Sequence, residues 1–349
     1  MTTEGTGRPA TISDVAAAAH VSRTTVSRFL GKQYGSMSPA TKARIEAAIA
    51  ELRYRPSRIA RGLRQDRSFT LGFIVPDLTN PFAIRVLRGA EEVAEKHGYM
   101  LMVCNSDRDP DKERRYFEML SSYGTDGLLV FTTGHNDEAV AELSSRGMPI
   151  VLIDQDVPSL AVDYFGTDNN TAVADAVTHL LDSGYDDIGF FTDMIASTAS
   201  RIERAEMFRA RLAQSPDVAA RVFEADVRDD GQLDEGLDAF LRTPQGTARV
   251  IFASNGVMML KLYGRLKARG IRIPDDVSLI GFDDDEWAQS AEPPLTTIAQ
   301  STRELGARAL ERLLERINGQ AAETVRTRMP SRLIVRGSTR AQEGAPSHG

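Results

Sequence analysis

The chain has 349 residues, 42% of them hydrophobic and 26% charged, which fits a folded protein of about two to three domains and excludes a purely disordered one. No stretch approaches the ~18 uninterrupted apolar residues of a membrane helix, the opening MTTEGTGRPA lacks the apolar segment of a secretory signal, and Cys104 is the single cysteine. The cysteine count excludes intrachain disulfides and cysteine-rich zinc sites and points to a reducing cytoplasm. The net charge of -7 is unevenly spread: residues 1–67 hold 12 Lys and Arg against 5 Asp and Glu, leaving 30 against 44 for the rest. A basic head on an acidic body suits a head that meets a polyanion.

Thr11-Ile12-Ser13-Asp14 reads as a capping box and predicts a first helix over 12–19. Ser22 can cap a second helix, with Val21 and Val26 placed as a hydrophobic staple. Only His20 and Val21 separate the two, which predicts a tight turn with a left-handed backbone at His20. Ser38-Pro39 starts a third helix, with Ile45, Ile49 and Leu52 on its inner face.

After Arg67 apolar runs alternate with amphipathic stretches. LGFIV (71–75), YMLMVC (99–104), GLLVF (127–131) and PIVLI (149–153) read as buried parallel strands, with helices from Phe82 to His97 and from Asp109-Pro110 to Gly124. A second series, Tyr164-Phe165, IGFF (188–191), RVF (221–223), VIFA (250–253) and VSLIGF (277–282), follows the same pattern. Two tandem βα series predict two doubly wound lobes with ligands at the carboxyl ends of the strands, in the cleft between them.

The unit from Thr11 to Leu30 suits DNA on steric grounds, because a second helix that starts with small residues can enter the ~12 Å major groove. Arg23, Thr24 and Arg28 would point outward while Val15, Ala19, Val26 and Leu30 pack inward; a helical hairpin with a solvated basic face remains the plain alternative. RPSRIARGLRQDR (55–67) is a basic linker or one short helix, Arg58 to Leu63, too short and glycine-interrupted to stand unaided. Asp107, Asp109, Asp111 and Glu118 match calcium-loop spacing, but Lys112 occupies the glycine position and Asp109-Pro110 suits a helix start better. No dinucleotide fingerprint, phosphate loop or nucleophile elbow follows a strand, and the five histidines, His20, His97, His135, His179 and His348, have no ligand spacing. Of Asp283, Asp284, Asp285 and Glu286, at least two are expected in a solvated loop, whereas a first carboxylate at a strand end can accept sugar hydroxyls. Arg204, one turn into a helix, is either an anion clamp or an exposed arginine.

The string TISDVAAAAHVSRTTVSRFL, followed by YRPSRIARGL, PDLTNPF, Arg204 to Phe208, FASN, IPDDVSLIGFDD and PPLTTIAQ, resembles the lactose and galactose repressor (LacI/GalR) family over about residues 8–337. The resemblance implies an α/β fold: an N-terminal all-α helix-turn-helix head and a two-lobed periplasmic-binding-protein-like core of doubly wound parallel sheets. It implies a head at 8–55, a hinge helix and linker at 56–67, one core lobe from 68–163 with 299–328, the other from 164–298 with 329–337, and a frayed tail at 338–349. Carried over by position, Arg23, Thr24 and Arg28 resemble base-reading residues. Thr11, Ser22 and Tyr54 resemble phosphate contacts, Ser57 and Arg58 belong to the hinge, and Ala60 with Leu63 resembles its minor-groove pair. Phe82, Asp154, Ser200, Arg204, Asn255 and Asp283 match effector-gripping positions. His20, Ser57, Met207 and Gly256 depart from the family's usual Gly or Asn, Asn, Gly and Asp.

The function implied is that of a cytoplasmic, non-enzymatic regulator, a repressor, in which an effector held between the lobes controls binding to a palindromic operator. Its partners are duplex DNA, a small sugar or sugar acid and a second copy of itself, with no metal, cofactor or membrane. CNSDRDPDKE, IVLIDQ and TDNN resemble relatives that answer to ketogluconates and other sugar acids; Arg204 suits an anion, with Arg201 or Arg85 as helpers. The polar C-terminus has no leucine heptads, which favours a dimer over a coiled-coil tetramer. The rival readings are a solute-binding protein for sugar uptake and a nicotinamide-dependent sugar dehydrogenase; the basic head opposes the first and the absent glycine fingerprint the second.

Overall fold

The computed structural model describes residues 10–31, 33–35, 37–54, 67–195, 198–242, 247–320 and 323–340. Contacts divide the chain into Met1–Phe69 and Thr70–Gly349. Among the described residues no helix is long and apolar enough to cross a membrane.

The first unit holds α1 (Ile12–Ala18), α2 (Arg23–Leu30) and α3 (Pro39–Glu51). The capping box forms as expected: Thr11 Oγ1 accepts from the Asp14 amide and the Asp14 carboxylate accepts from the Thr11 amide at 2.8 Å. Ser22 and Ser38 cap α2 and α3 through the Thr25 and Thr41 amides, at 3.1 and 3.2 Å. His20 turns the chain with a φ of 52°. Val15, Val26 and Ile45 are fully buried, with Ala16, Ala19 and Ala48 between them. Each of the three large side chains contributes roughly 1.5–3 kcal/mol of apolar burial, which is what holds so small a unit together. The expected hinge, with Ser57, Arg58, Ala60 and Leu63, lies outside the described residues.

The second unit begins with β1 (Thr70–Val75), α4 (Pro81–Lys96), β2 (Met100–Asn105), α5 (Pro110–Ser122), β3 (Gly127–Val130), α6 (Asp137–Ser145), β4 (Ile150–Ile153) and β5 (Asp163–Thr167). It continues through α7 (Asn169–Asp182), β6 (Asp187–Thr192), α8 (Ala199–Leu212), β7 (Ala219–Glu224), α9 (Asp230–Leu241), β8 (Arg249–Ala253), α10 (Gly256–Ala268), β9 (Ser278–Phe282), α11 (Glu286–Gln289) and β10 (Thr296–Gln300). The chain then returns to the first lobe as α12 (Thr302–Ile317) and β11 (Arg326–Met329) and ends in the second lobe as β12 (Ser331–Ile334). The first sheet has the order β11-β5-β4-β3-β1-β2 and the second β12-β10-β9-β8-β6-β7. Every pairing is parallel except β10 with β12. Helices α4 and α12 meet backbone to backbone, because a Cβ on Gly89 would lie 1.9 Å from the Arg303 carbonyl oxygen and one on Gly306 1.9 Å from that of Val86. Asp109 caps α5 through the Asp111 and Lys112 amides with Pro110 in its first turn, the helix start expected there.

The structure corrects four expectations. Tyr164 and Phe165 do not open the second sheet: β5 pairs with β4 and β11 in the first, because Asp163 at its start is held by Arg312 and Arg316 of α12 and by the Val325 amide. The chain therefore crosses between lobes after β5, after Gln300 and after Met329, not at 163/164, 298/299 and 328/329. YMLMVC is not a buried strand; β2 is an edge strand with Met100 and Val103 exposed. Residues 338–340 are not frayed. Ser338 Oγ accepts from the Thr296 amide, Thr339 Oγ1 bonds to Thr296 and His179, and the Arg340 amide donates to Tyr185 Oη; residues 341–349 lie outside the described chain.

Candidate functional site

In the first unit Arg23, Thr24 and Arg28 are exposed on α2, while Val26 of the same helix is buried. Ser22 is also exposed, at the N-terminus of that helix, and Thr11 and Tyr54 are half-buried. The arrangement presents two guanidinium groups and small hydroxyls from one helix, a shape that can enter a duplex groove and reach phosphates on either side.

The second unit encloses a cavity of about 140 Å³ between its lobes. Phe82, Asp154, Ser200, Arg204, Asn255 and Asp283, the six residues singled out from sequence, all line it. Five of them arrive from the carboxyl ends of strands and the first turns of the helices that follow, where a doubly wound sheet places ligands, and Arg204 comes from one turn further along its helix. Asp154 and Asp283 follow β4 and β9 with φ of 61° and 76°; Arg108, after β2, has 61°. Positive φ in non-glycine residues is strained and is retained where side chains must be aimed.

Arg204 is 6% exposed. Its Nε donates to Asn169 Oδ1 at 2.8 Å, and its terminal nitrogens donate to the Ser254 carbonyl at 2.5 Å and Gln300 Oε1 at 3.1 Å. Its guanidinium carbon stands 3.7 Å from the centroid of the Phe282 ring. All three hydrogen-bond partners are neutral, and among the described residues two of the five N–H groups of this cavity-lining guanidinium have no partner. Burial pushes its pKa down, with Asp154 and Asp283 opposing. The arginine is thus a buried group of the cavity, not an exposed helix residue.

Asp154 accepts from Ser200 Oγ of the opposite lobe at 3.0 Å. Burial raises its carboxyl pKa above the ordinary carboxylate value, only partly opposed by Arg204 and the serine. Asp283 Oδ2 accepts from the Gly256 amide at 3.0 Å and its Oδ1 from Gln300 Nε2 at 2.8 Å. Phe82 meets Phe131 edge-on at 5.8 Å, forming an aromatic wall. Asn255 is turned back to cap α10 through the Met258 amide at 2.9 Å. Of the two helper arginines, Arg201 lines the cavity, donating to Asp193 at 2.8 Å, whereas Arg85 does not line it and binds Asp283 and Asp285. Met207 packs in the second lobe's core, away from the cavity.

The acidic run after β9 is not a solvated loop. Asp283 and Asp285 are buried, Asp284 is half-buried against Arg336 and Thr297, and only Glu286 is exposed, since arginines from two directions neutralise the first three. Sequence reasoning missed Gln300, Asn169 and Arg108. Gln300 receives Thr167 Oγ1 of the first lobe at 2.6 Å and Arg204 of the second, and Arg108 reaches across to Asp193 at 2.6 Å. The available signal was position: each sits within a residue or three of a strand's carboxyl end. Among the described residues no group of three or more His, Cys, Asp or Glu side chains could hold a metal ion.

Residues 11–57 match the family described as bacterial regulatory proteins, lacI family, and residues 177–339 match a periplasmic binding protein-like domain. The HTH-type transcriptional regulator KdgR of Bacillus subtilis is 38% identical over 94% of this chain and 97% of its own length. PtxS of Pseudomonas aeruginosa, also an HTH-type transcriptional regulator, is 39% identical over 94% and 95%. Among solved structures, a lac repressor bound to ONPG in the repressed state superposes with a TM-score of 0.82 at 25% identity, covering 95% of this chain and 100% of that one.

Proposed function

The chain belongs to the LacI family of bacterial transcriptional regulators, and from that premise we propose a cytoplasmic, homodimeric repressor whose core closes on a sugar acid. It is a regulator and not an enzyme, as its relatives are. In this reading Arg23, Thr24 and Arg28 read base edges, and Thr11, Ser22 and Tyr54 hold phosphates. Ser57 and Arg58 belong to the hinge, and Ala60 and Leu63 wedge into a minor groove bent at the operator's centre. Unstacking there costs a few kcal/mol, offset by the contacts the bent duplex permits. The homodimer is supported by the apolar edge strand β2, whose Met100 and Val103 are exposed in the single chain. Effector binding biases the lobes, and through them the order of a hinge too short to be helical unaided.

One observation carries the choice of effector: Arg204 is buried in the cavity with neutral hydrogen-bond partners, and among the described residues two of its N–H groups are uncommitted. A carboxylate is the ligand group that satisfies a planar pair of donors and a buried positive charge together. Asp154, Asp283 and Ser200 would then take hydroxyls, and Phe82 the apolar face of the carbon chain. The test is a thermal-shift panel of 2-ketogluconate and gluconate against ribose and cellobiose, run beside footprinting of the chain's own upstream region at two salt concentrations. At 100 times Kd a ligand adds about 2.7 kcal/mol, and Arg204→Met should abolish the sugar-acid shift. Stabilisation by neutral sugars alone would defeat the sugar-acid reading, and no preference for any palindrome would defeat the operator reading.

A further inference from the structure

Arg85, on α4 of the first lobe, reaches across the cleft and engages two carboxylates of the second. One terminal nitrogen lies 3.1 Å from Asp283 Oδ1 and the other donates to Asp285. Both acids are almost wholly buried, with 3% and 6% of their surface exposed. Asp285 has room there only because residue 256 is glycine: a Cβ on Gly256 would stand 2.8 Å from Asp285 Oδ2 and 2.9 Å from Asp283 Cβ. The acid expected after Asn255 from the family pattern is missing, and Asp285 brings a carboxylate to the same place from the far side.

The hydrogen-bond capacity of Asp283 shows what the arginine does for the cavity. An ionised carboxylate offers about four acceptor positions. Gln300 and Arg85 take both on Oδ1, and the Gly256 amide takes one on Oδ2. Among the described residues, one acceptor position remains for a ligand hydroxyl. Without Arg85, two neighbouring buried carboxylates would face each other with no cation between them, an arrangement that burial and like-charge repulsion both oppose.

We propose that Arg85 is a positioning residue of the effector cavity and the latch of its closed form, tying the lobes together through Asp283 and Asp285 across the gap left by Gly256. The inference deepens the effector-site reading and takes its ligand consequence from it, but the latch itself is measurable without ligand. Opening the lobes parts Arg85 from both acids at once. Ser200 with Asp154, Thr167 with Gln300 and Arg108 with Asp193 also span the cleft, and Arg85 adds to them a contact with two buried carboxylates at once; salt should weaken that contact because Arg85 is partly exposed.

The experiment measures the distance between spin labels on the unliganded full chain at exposed positions in each lobe, Tyr123→Cys and Asp217→Cys. Labelled chain is diluted in excess unlabelled chain, with buried Cys104 left in place. The wild type should give one narrow distribution. Arg85→Met should lower the closed-to-open ratio by about tenfold or more, and Arg85→Lys, which keeps a charge but cannot bridge two carboxylates, should fall between. Gly256→Ala should also open the lobes, since its Cβ would stand 2.8 Å from Asp285 Oδ2 and 2.9 Å from Asp283 Cβ and displace the carboxylates that Arg85 grips. Melting curves on each variant separate opening from misfolding. An unchanged distribution in Arg85→Met overturns the proposal. A sugar-acid panel that fails while the latch variants behave as stated removes the effector reading and leaves the latch standing.

Discussion

Asp163 is the place where one substitution should cost the core most, and the cost can be worked from its surroundings. The carboxylate is fully buried. It accepts from Arg312 Nε at 3.0 Å, from Arg316 Nε at 2.7 Å, from a second nitrogen of each arginine, and from the Val325 amide at 2.7 Å. These bonds join the start of β5 to the end of α12 and to the residue before β11, so one side chain fixes the segment that returns from the second lobe to the first. Asp163→Asn keeps the shape but leaves one acceptor oxygen and turns an NH2 toward two guanidinium groups. Removing one partner of a buried ion pair costs about 3–5 kcal/mol. At ~2–4 °C per kcal/mol for a unit of this order of size, the core transition in scanning calorimetry at pH 7 should fall by roughly 6–20 °C. Burial alone would raise the pKa of this carboxyl, but the Arg316 and Arg312 hydrogen bonds and the Val325 amide outweigh it, and the folded value lies below the ordinary one. The stabilisation is therefore present above the unfolded value of about 3.9 and is lost as pH falls through the folded value. The gap between wild type and variant should close in acid. A loss under ~2 °C at pH 7, or a gap that persists unchanged to pH 2.5, refutes the reasoning.

Three further outcomes are expected. Asp154 has the opposite sign: burial raises its folded pKa, so the stability it contributes is complete below the unfolded carboxylate value and is lost as pH rises through the folded one. Asp154→Asn should therefore melt higher than wild type at pH 8 and close to it at pH 4; a difference independent of pH would contradict the assignment. Gly306→Ala should lower the melting temperature of the core by forcing α4 and α12 apart, at ~1–3 kcal/mol, because its Cβ meets backbone and not a movable side chain; an unchanged melt would mean the helices part freely. Gly62→Ala should tighten operator binding and weaken induction if the hinge becomes helical only on DNA, since Ala favours helix by about 1 kcal/mol over Gly. Equal affinity in filter-binding titrations would remove that coupling.

What could be read from sequence, and what could not, follows from the range of the interactions involved. The capping box at Thr11, the caps at Ser22 and Ser38 and the left-handed turn at His20 are settled by side chains within three residues of the backbone groups they serve, and all four form as expected. Of the six cavity residues, Arg204 and Asp283 were legible from their positions, and Phe82, Asp154, Ser200 and Asn255 from the family resemblance. Five of them sit at strand ends or in the first turns of the helices that follow, Arg204 lies one turn further along its helix, and strand order alone brings those ends together. The lobe assignment of Tyr164 and Phe165 had no local signal. An apolar pair reads equally well in either sheet, and the choice depends on Asp163 meeting two arginines about 150 residues downstream. The acidic run after Phe282 misled in the same way. Four consecutive acids look solvated until Arg85, some 200 residues earlier, and Arg336, some 50 later, arrive to neutralise the first three. Gly256 shows the coupling most plainly. As a departure from the family pattern it cast doubt on the ligand contacts, yet in the folded chain it is the gap that admits Asp285, so the meaning of the glycine is fixed by a residue 29 positions away and by an arginine on the other lobe. Charges buried at a cleft are set by whatever the fold carries across it, and a reading that moves along the chain sees each of them alone.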